Sequence, residues 1–115
     1  MQTIPVRAVA NQAFQCVLGD QNCSIRLFTR HTVDLGNKLY IDLAVNDAQM
    51  LNGVLCQDGL MLPYYEYLGF VGGLVFLDMQ GDEDPEYTGL GDRFQLVYMD
   101  KSEAADYQNA ELEAD

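Results

Sequence analysis

The residues best equipped for chemistry lie between Asp78 and Glu86, where Asp78, Asp82, Glu83, Asp84 and Glu86 place five carboxylates in nine residues. Oxygen donors at that density are the raw material of a calcium site. The spacing is not that of an EF-hand loop and no glycine-plus-glutamate frame follows it, so a solvated loop or a charged contact surface is the better reading. Eighteen acids in one chain always offer carboxylate pairs for hydrolytic acid–base work. Acids crowded into loops more commonly serve solubility. Nucleophilic catalysis would need one of Cys16, Cys23 or Cys56 within hydrogen-bond reach of His31, the sole histidine. None of the CxxC spacings of zinc or thioredoxin-like sites is present, and one histidine cannot build a His-rich metal cluster. Gly89-Leu90-Gly91-Asp92-Arg93 has the glycines of a phosphate loop, but it neither leads into a helix nor ends in Gly-Lys-Ser/Thr. It reads as a glycine turn before a final strand, with Asp92 and Arg93 available for a local ion pair. Tyr64, Tyr65 and Tyr67 form the remaining cluster, suited to stacking on a sugar or a partner, or to capping one end of a barrel.

The elements that must position these residues are strands. Leu39, Ile41, Leu43 and Val45 alternate with Lys38, Tyr40, Asp42, Ala44 and Asn46, the period of a strand with one buried face. Upstream, Gln12–Leu18 and Asn22–Arg30 make a hairpin about a two-residue Gly19-Asp20 turn. That register sets Leu18 opposite Gln21, Cys16 opposite Cys23 and Phe14 opposite Ile25. Phe14, Cys16 and Leu18 then share an inner face with Cys23, Ile25 and Leu27, leaving Gln15, Ser24, Arg26 and Arg30 outside. His31 falls in the loop after this hairpin. A second hairpin about Asn46-Asp47-Ala48 returns through Gln49–Gln57, with Gly53 as a bulge. Gln57-Asp58-Gly59 signals a turn, and Leu60–Phe70 is a single helical turn opened by Pro63 or an irregular segment. Gly73–Met79 is short and carries the apolar run Leu74-Val75-Phe76-Leu77, as in a strand covered on both faces, and Asp92–Met99 is the last strand. Six or seven short strands without a long helix predict an all-β antiparallel barrel or sandwich, with at most one short helix.

Composition narrows the rest. The chain has 115 residues, one domain's worth, and 49% of them are hydrophobic, which argues against disorder. A mean hydropathy of -0.10 and the lack of a long apolar run argue against a membrane-spanning helix. Met1–Pro5 has neither the basic flank nor the apolar stretch of a secretory signal. The net charge of -12 repels phosphate backbones and argues against direct nucleic-acid binding. Three cysteines, an odd number, fit free thiols in a reducing cytoplasm. The chain divides into an all-β domain over residues 1–99 and an acidic tail over residues 100–115. The tail holds six acids against Lys101, with Tyr107 and Leu112 as its largest apolar residues. Such a tail can be helical, but it needs a contact to hold it.

The order of these features resembles a known family. Ile4-Pro5 opens the domain, Asn11-Gln12-Ala13-Phe14 begins the first hairpin, and Leu39-Tyr40-Ile41-Asp42-Leu43 makes the middle strand. Gly73-Leu74-Val75-Phe76-Leu77-Asp78 precedes the acidic Gly-Asp loop, and Gly89-Leu90-Gly91-Asp92-Arg93-Phe94-Gln95-Leu96-Val97-Tyr98 closes the domain. Over residues 4–99 this is similar to the baseplate plug proteins of contractile-tailed bacteriophages. The resemblance implies a non-enzymatic virion protein, assembled in the host cytoplasm, which helps close the central channel beside hub, spike and tail-tube proteins. Exposed strand edges and an acidic extension suit docking in a symmetric ring of copies, where edge strands can pair between chains. The resemblance brings no catalytic residue, metal or cofactor. Tyr64, Tyr65, Tyr67, Asp82, Glu83, Asp84, Glu86, Tyr107 and Leu112 are the candidate partner contacts. The competing reading is a glycan-binding β-module on the tail tip, with the tyrosines against the sugar.

Overall fold

Alternating segments pair where their patterns require it. A computed structural model describes residues 1–34, 36–62 and 70–113, with residues 108–113 as backbone alone. Its strands are β1 (Gln2–Ile4), β2 (Asn11–Leu18), β3 (Gln21–Thr32), β4 (Gly36–Val45), β5 (Ala48–Leu55), β6 (Gly73–Asp78) and β7 (Phe94–Met99), followed by one helix, α1 (Lys101–Glu113). Two antiparallel sheets result, β2-β3-β4-β5 and β1-β7-β6. They face one another as a sandwich and do not close into a barrel.

Two tight turns fix the four-stranded sheet. Gly19 and Asp20 have φ of 55° and 64°, and Asn46 and Asp47 have 50° and 70°. Positive φ at both central residues matches the right-handed twist of the flanking strands, and Gly, Asn and Asp tolerate it best. The first hairpin carries the register read from the sequence, Leu18 opposite Gln21, Cys16 opposite Cys23 and Phe14 opposite Ile25. The second hairpin slips register twice along β5. At the Gly53 slip the φ is 63°, and its N–H donates to Asp42 Oδ1 at 2.6 Å. Leu39, Ile41 and Leu43 of β4 are fully buried. Each contributes about 2 kcal/mol of apolar burial.

The three-stranded sheet is covered on both faces. Leu74 and Phe76 of β6, with Phe94, Leu96 and Tyr98 of β7, join the core between the sheets. Val75, Val97 and Met99 point the other way, into a second cluster with Met61 and Ala104 of α1. Tyr107 packs on that cluster and donates its hydroxyl to the Gly59 carbonyl at 2.6 Å. The tail is therefore helical, and its first turns cover part of the outer face of this sheet.

One strand went unread, and one local reading needs correction. β1 carries no alternation long enough to announce itself, three residues stopped by Pro5, and it exists by pairing with β7. β3 runs to Thr32, so His31 lies on a strand opposite Asn37 and not in a loop, because β4 already begins at Gly36 and extends the ladder. The choice between helical turn and irregular segment at Leu60–Phe70 falls mostly outside the described residues.

Candidate functional site

The acidic loop leaves the end of β6 and is shaped by its first carboxylate. Asp78 has no solvent-accessible side-chain surface. Arg93 grips it with two bonds, Nε to Oδ1 at 2.8 Å and Nη2 to Oδ2 at 2.7 Å. The backbone N–H groups of Gln80 and Glu83 donate to the same two oxygens at 2.9 Å. Hydrogen bonds from Arg93, Gln80 and Glu83 hold the Asp78 carboxyl well below the usual carboxylate range, and Asp78 in turn raises Arg93. The sequence pairing of Asp92 with Arg93 is thus replaced: Asp92 is exposed, and the guanidinium turns to Asp78 and Glu83. A planar fork matches a carboxylate held across the β6–β7 ladder, where Asp78 sits opposite Phe94.

Asp84 ties the far side of the loop. Its Oδ1 accepts from the Asp58 N–H at 3.1 Å, and its Oδ2 lies 3.7 Å from Lys38 Nζ. Asp58 Oδ1 accepts from the Asp78 N–H at 2.9 Å, which closes the link to β6. Two acids of the loop are therefore structural. Asp82, Glu83 and Glu86 are exposed, and with Asp84 they rim an open depression of about 530 Å³ against Gly36–Lys38. Asp78 and Glu83 share Arg93 while Asp84 turns to Lys38 and Asp58, and among the described residues no cluster of three or more metal-ligating side chains is assembled.

The other candidates are scattered. Cys16 and Cys23 face each other across β2 and β3, and burial with the neighbouring Cys16 pushes the Cys23 thiol up to about 11. Cys56 is raised further by burial. His31, exposed, hydrogen-bonds Asn37 Oδ1 through Nδ1 at 2.9 Å. Eight residues of β3 separate it from Cys23, roughly 26 Å of strand. No activated Cys–His pair forms from these two. A 3-10 turn over Tyr87–Gly89, then a turn holding Gly91 at a φ of 82°, lead through Arg93 into β7 as the glycine spacing suggested. Tyr64, Tyr65 and Tyr67 lie outside the described residues, as does the Leu112 side chain.

One surface was missed. Phe28 points outward on β3, stacked on Tyr40 of β4 at 5.8 Å between ring centroids. Arg26 and Arg30 cover it at 4.7 and 5.2 Å from the ring centre, so Phe28 is buried on the outer face of the sheet. The signal was an apolar residue at an outward position of a clean alternation.

The two-sheet scaffold thus has its strand ends tied and Asp82, Glu83 and Glu86 presented outward. The family model described as cyanophage baseplate Pam3 plug gp18 matches residues 1–101, and the chain belongs to that family. It is accordingly a structural protein of the phage virion, placed in the tail baseplate, where it meets other baseplate proteins. No curated protein matches the chain. Among the described residues no helix is long and apolar enough to cross a membrane.

Proposed function

We propose that this chain closes or organises the central channel of the baseplate, seated against hub, spike and tail-tube proteins in a symmetric ring of copies and performing no bond-making chemistry. The observation that carries the reading, beside family membership, is the acidic loop. Asp78 and Arg93 set its path, leaving Asp82, Glu83 and Glu86 on a rim of defined shape. A loop whose path is held by the buried Asp78 carboxylate presents its other charges at low ordering cost, as a docking surface requires. Tyr64, Tyr65, Tyr67, Tyr107 and Leu112 complete the proposed contact set. Residues 1–99 form the plug body and residues 100–115 its acidic extension. A net charge of -12 near the channel would also discourage adhesion of passing DNA.

A density map of the intact particle tests the reading. Density for this chain on the tail axis beside the hub is the expected result; density at the periphery overturns it. Replacing Asp82, Glu83 and Glu86 by amides should leave the fold intact and lower the amount of plug in purified baseplates. Unchanged particles would remove the loop from the contact set.

A further inference from the structure

Among the described residues, three of the four sheet edges are closed to a further strand. β1 is three residues long and runs into Pro5. β6 is flanked by the 58–62 segment, with Gly59 N–H donating to the Phe76 carbonyl and Leu62 and Leu74 exchanging both bonds. β5 slips register twice beside β4, which bends it. Short length, proline, cover and bulges are the devices that keep sheet edges from pairing with foreign chains.

The fourth edge has none of them. β2 pairs with β3 through eight consecutive residues without a slip. Its sequence, Asn-Gln-Ala-Phe-Gln-Cys-Val-Leu, holds no proline and no charge, in a chain with 21% charged residues. Leu18 and Gln21 bracket a two-residue turn and so form a hydrogen-bonded pair, which makes Cys16, Phe14 and Gln12 the other residues bonded to β3. The N–H and C=O groups of Ala13, Gln15 and Val17 therefore point away from the sheet. All three residues are exposed, Val17 at 60%. The outer face beside them is hollow. An open depression of about 460 Å³ has Ala13, Ser24 and Ala44 along its floor and Arg26, Asp42 and Gln49 around it. A second, of about 500 Å³, lies beyond Val17 toward Asn46 and Asp47.

We propose that β2 is the docking edge of the plug, and that it takes up an extended segment of another baseplate protein as a fifth strand of the four-stranded sheet. Main-chain bonds to Ala13, Gln15 and Val17 supply affinity, and alternate side chains of the guest strand fill the two depressions. Charge selects the occupant. A second copy would bring another net charge of -12 to the same edge. A segment with basic residues toward the turn end meets Asp20, in the turn after Leu18, and Asp47, on the second depression. The inference rests on the plug reading, because a neighbouring baseplate chain supplies the segment.

Amide hydrogen exchange of the full chain, free and in the assembled baseplate, tests it. In the free chain Ala13, Gln15 and Val17 exchange as open amides while Phe14 and Cys16 are protected. In the baseplate the first three slow by at least about tenfold. Fast exchange at all three in an incorporated plug overturns the docking edge and leaves the plug reading standing. Absence of the chain from purified baseplates overturns the plug reading itself. Gln15→Pro removes an outward donor and no bond to β3, and should cut incorporation at least about tenfold in a folded chain. Ala13→Lys, which fills the first depression, gives the same result if the proline variant does not fold. Normal incorporation of either folded variant overturns the proposal. A dimer of the purified chain that is lost in the folded blocking variant replaces the foreign segment with a second copy and overturns the choice of occupant. Asp47→Asn should lower incorporation, and unchanged incorporation overturns the basic character of the guest.

Discussion

The two ends of the sandwich are fastened by different chemistry. At the end with the tight turns the fastener is neutral. Buried Gln21 donates to the carbonyls of Leu18 and Val71, both at 3.0 Å, and accepts from the Val71 N–H at 2.9 Å. Tyr98 adds a bond from its hydroxyl to the same Val71 carbonyl at 2.7 Å. At the opposite end the fastener is ionic, Asp78 on Arg93 with Asp84 reaching Lys38 and Asp58. An amide can substitute for missing backbone partners without bringing a charge out of water, so it suits a closed end. A carboxylate gripped by a guanidinium and two N–H groups suits an end that must stay wet and keep further acids in fixed positions. The difference separates an end sealed by buried neutral bonds from an end that holds further acids in place at the surface.

Breaking the neutral end should have the largest effect. Gln21→Ala leaves the Val71 N–H without its partner and takes one donor from the carbonyls of Leu18 and Val71. Three hydrogen bonds, one buried and two part-buried, are lost at about 1 kcal/mol each, so a loss of about 3 kcal/mol is expected in urea unfolding. The loss should be the same from neutral pH down into mild acid, because no group at that fastener titrates there. A loss that grows or shrinks with acid would mean that the two ends are not chemically distinct.

Asp78→Asn tests the ionic end and should behave otherwise. Arg93 and the two backbone donors lower the Asp78 pKa in the folded protein. The stability it contributes is therefore complete above the unfolded carboxylate value of about 3.9, and it fades as pH falls toward the lower folded value. The variant should be less stable at pH 7, and the two proteins should converge in acid. A gap of constant size across that range would show that the asparagine acts through packing alone. Tyr107→Phe probes the support behind this end, since Gly59, which accepts its hydroxyl, follows Asp58. The loss of one partly buried hydrogen bond predicts about 1 kcal/mol.

Sequence pattern revealed the two ends unequally. The hairpin at the neutral end was legible because alternation and a Gly-Asp turn together admit one register, and Cys16 opposite Cys23 follows from them. Gln21 was not, because a glutamine next to a turn looks solvated until the segment leading into β6 brings Val71 over it. At the ionic end the density of acids was plain, yet their division into two structural and three presented carboxylates depends on Arg93 reaching Asp78, 15 residues away in the chain. Nearest-neighbour reasoning favoured Asp92. The short β1 and the outward Phe28 were hidden for a related reason, since both owe their place to a partner strand and not to their own pattern.

The smallest effect sharpens the ionic end further. Lys38 and Asp84 lie 3.7 Å apart with both side chains about one-third exposed or less, a geometry in which Coulomb attraction barely exceeds the entropy of holding a lysine still. Lys38→Ala should therefore cost no more than about 0.5 kcal/mol, and the difference should vanish at high salt. Asp84 keeps the Asp58 N–H in the variant, so the rim of Asp82, Glu83 and Glu86 should hold its shape, as amide exchange at Asp58 would report. If Lys38→Ala instead releases the Asp58 amide, the lysine sets the rim, and the acidic surface depends on a salt-sensitive contact from the four-stranded sheet. If it does not, the loop is shaped wholly by buried carboxylate bonds, and ionic strength should alter how partners are attracted to the rim without altering the rim itself.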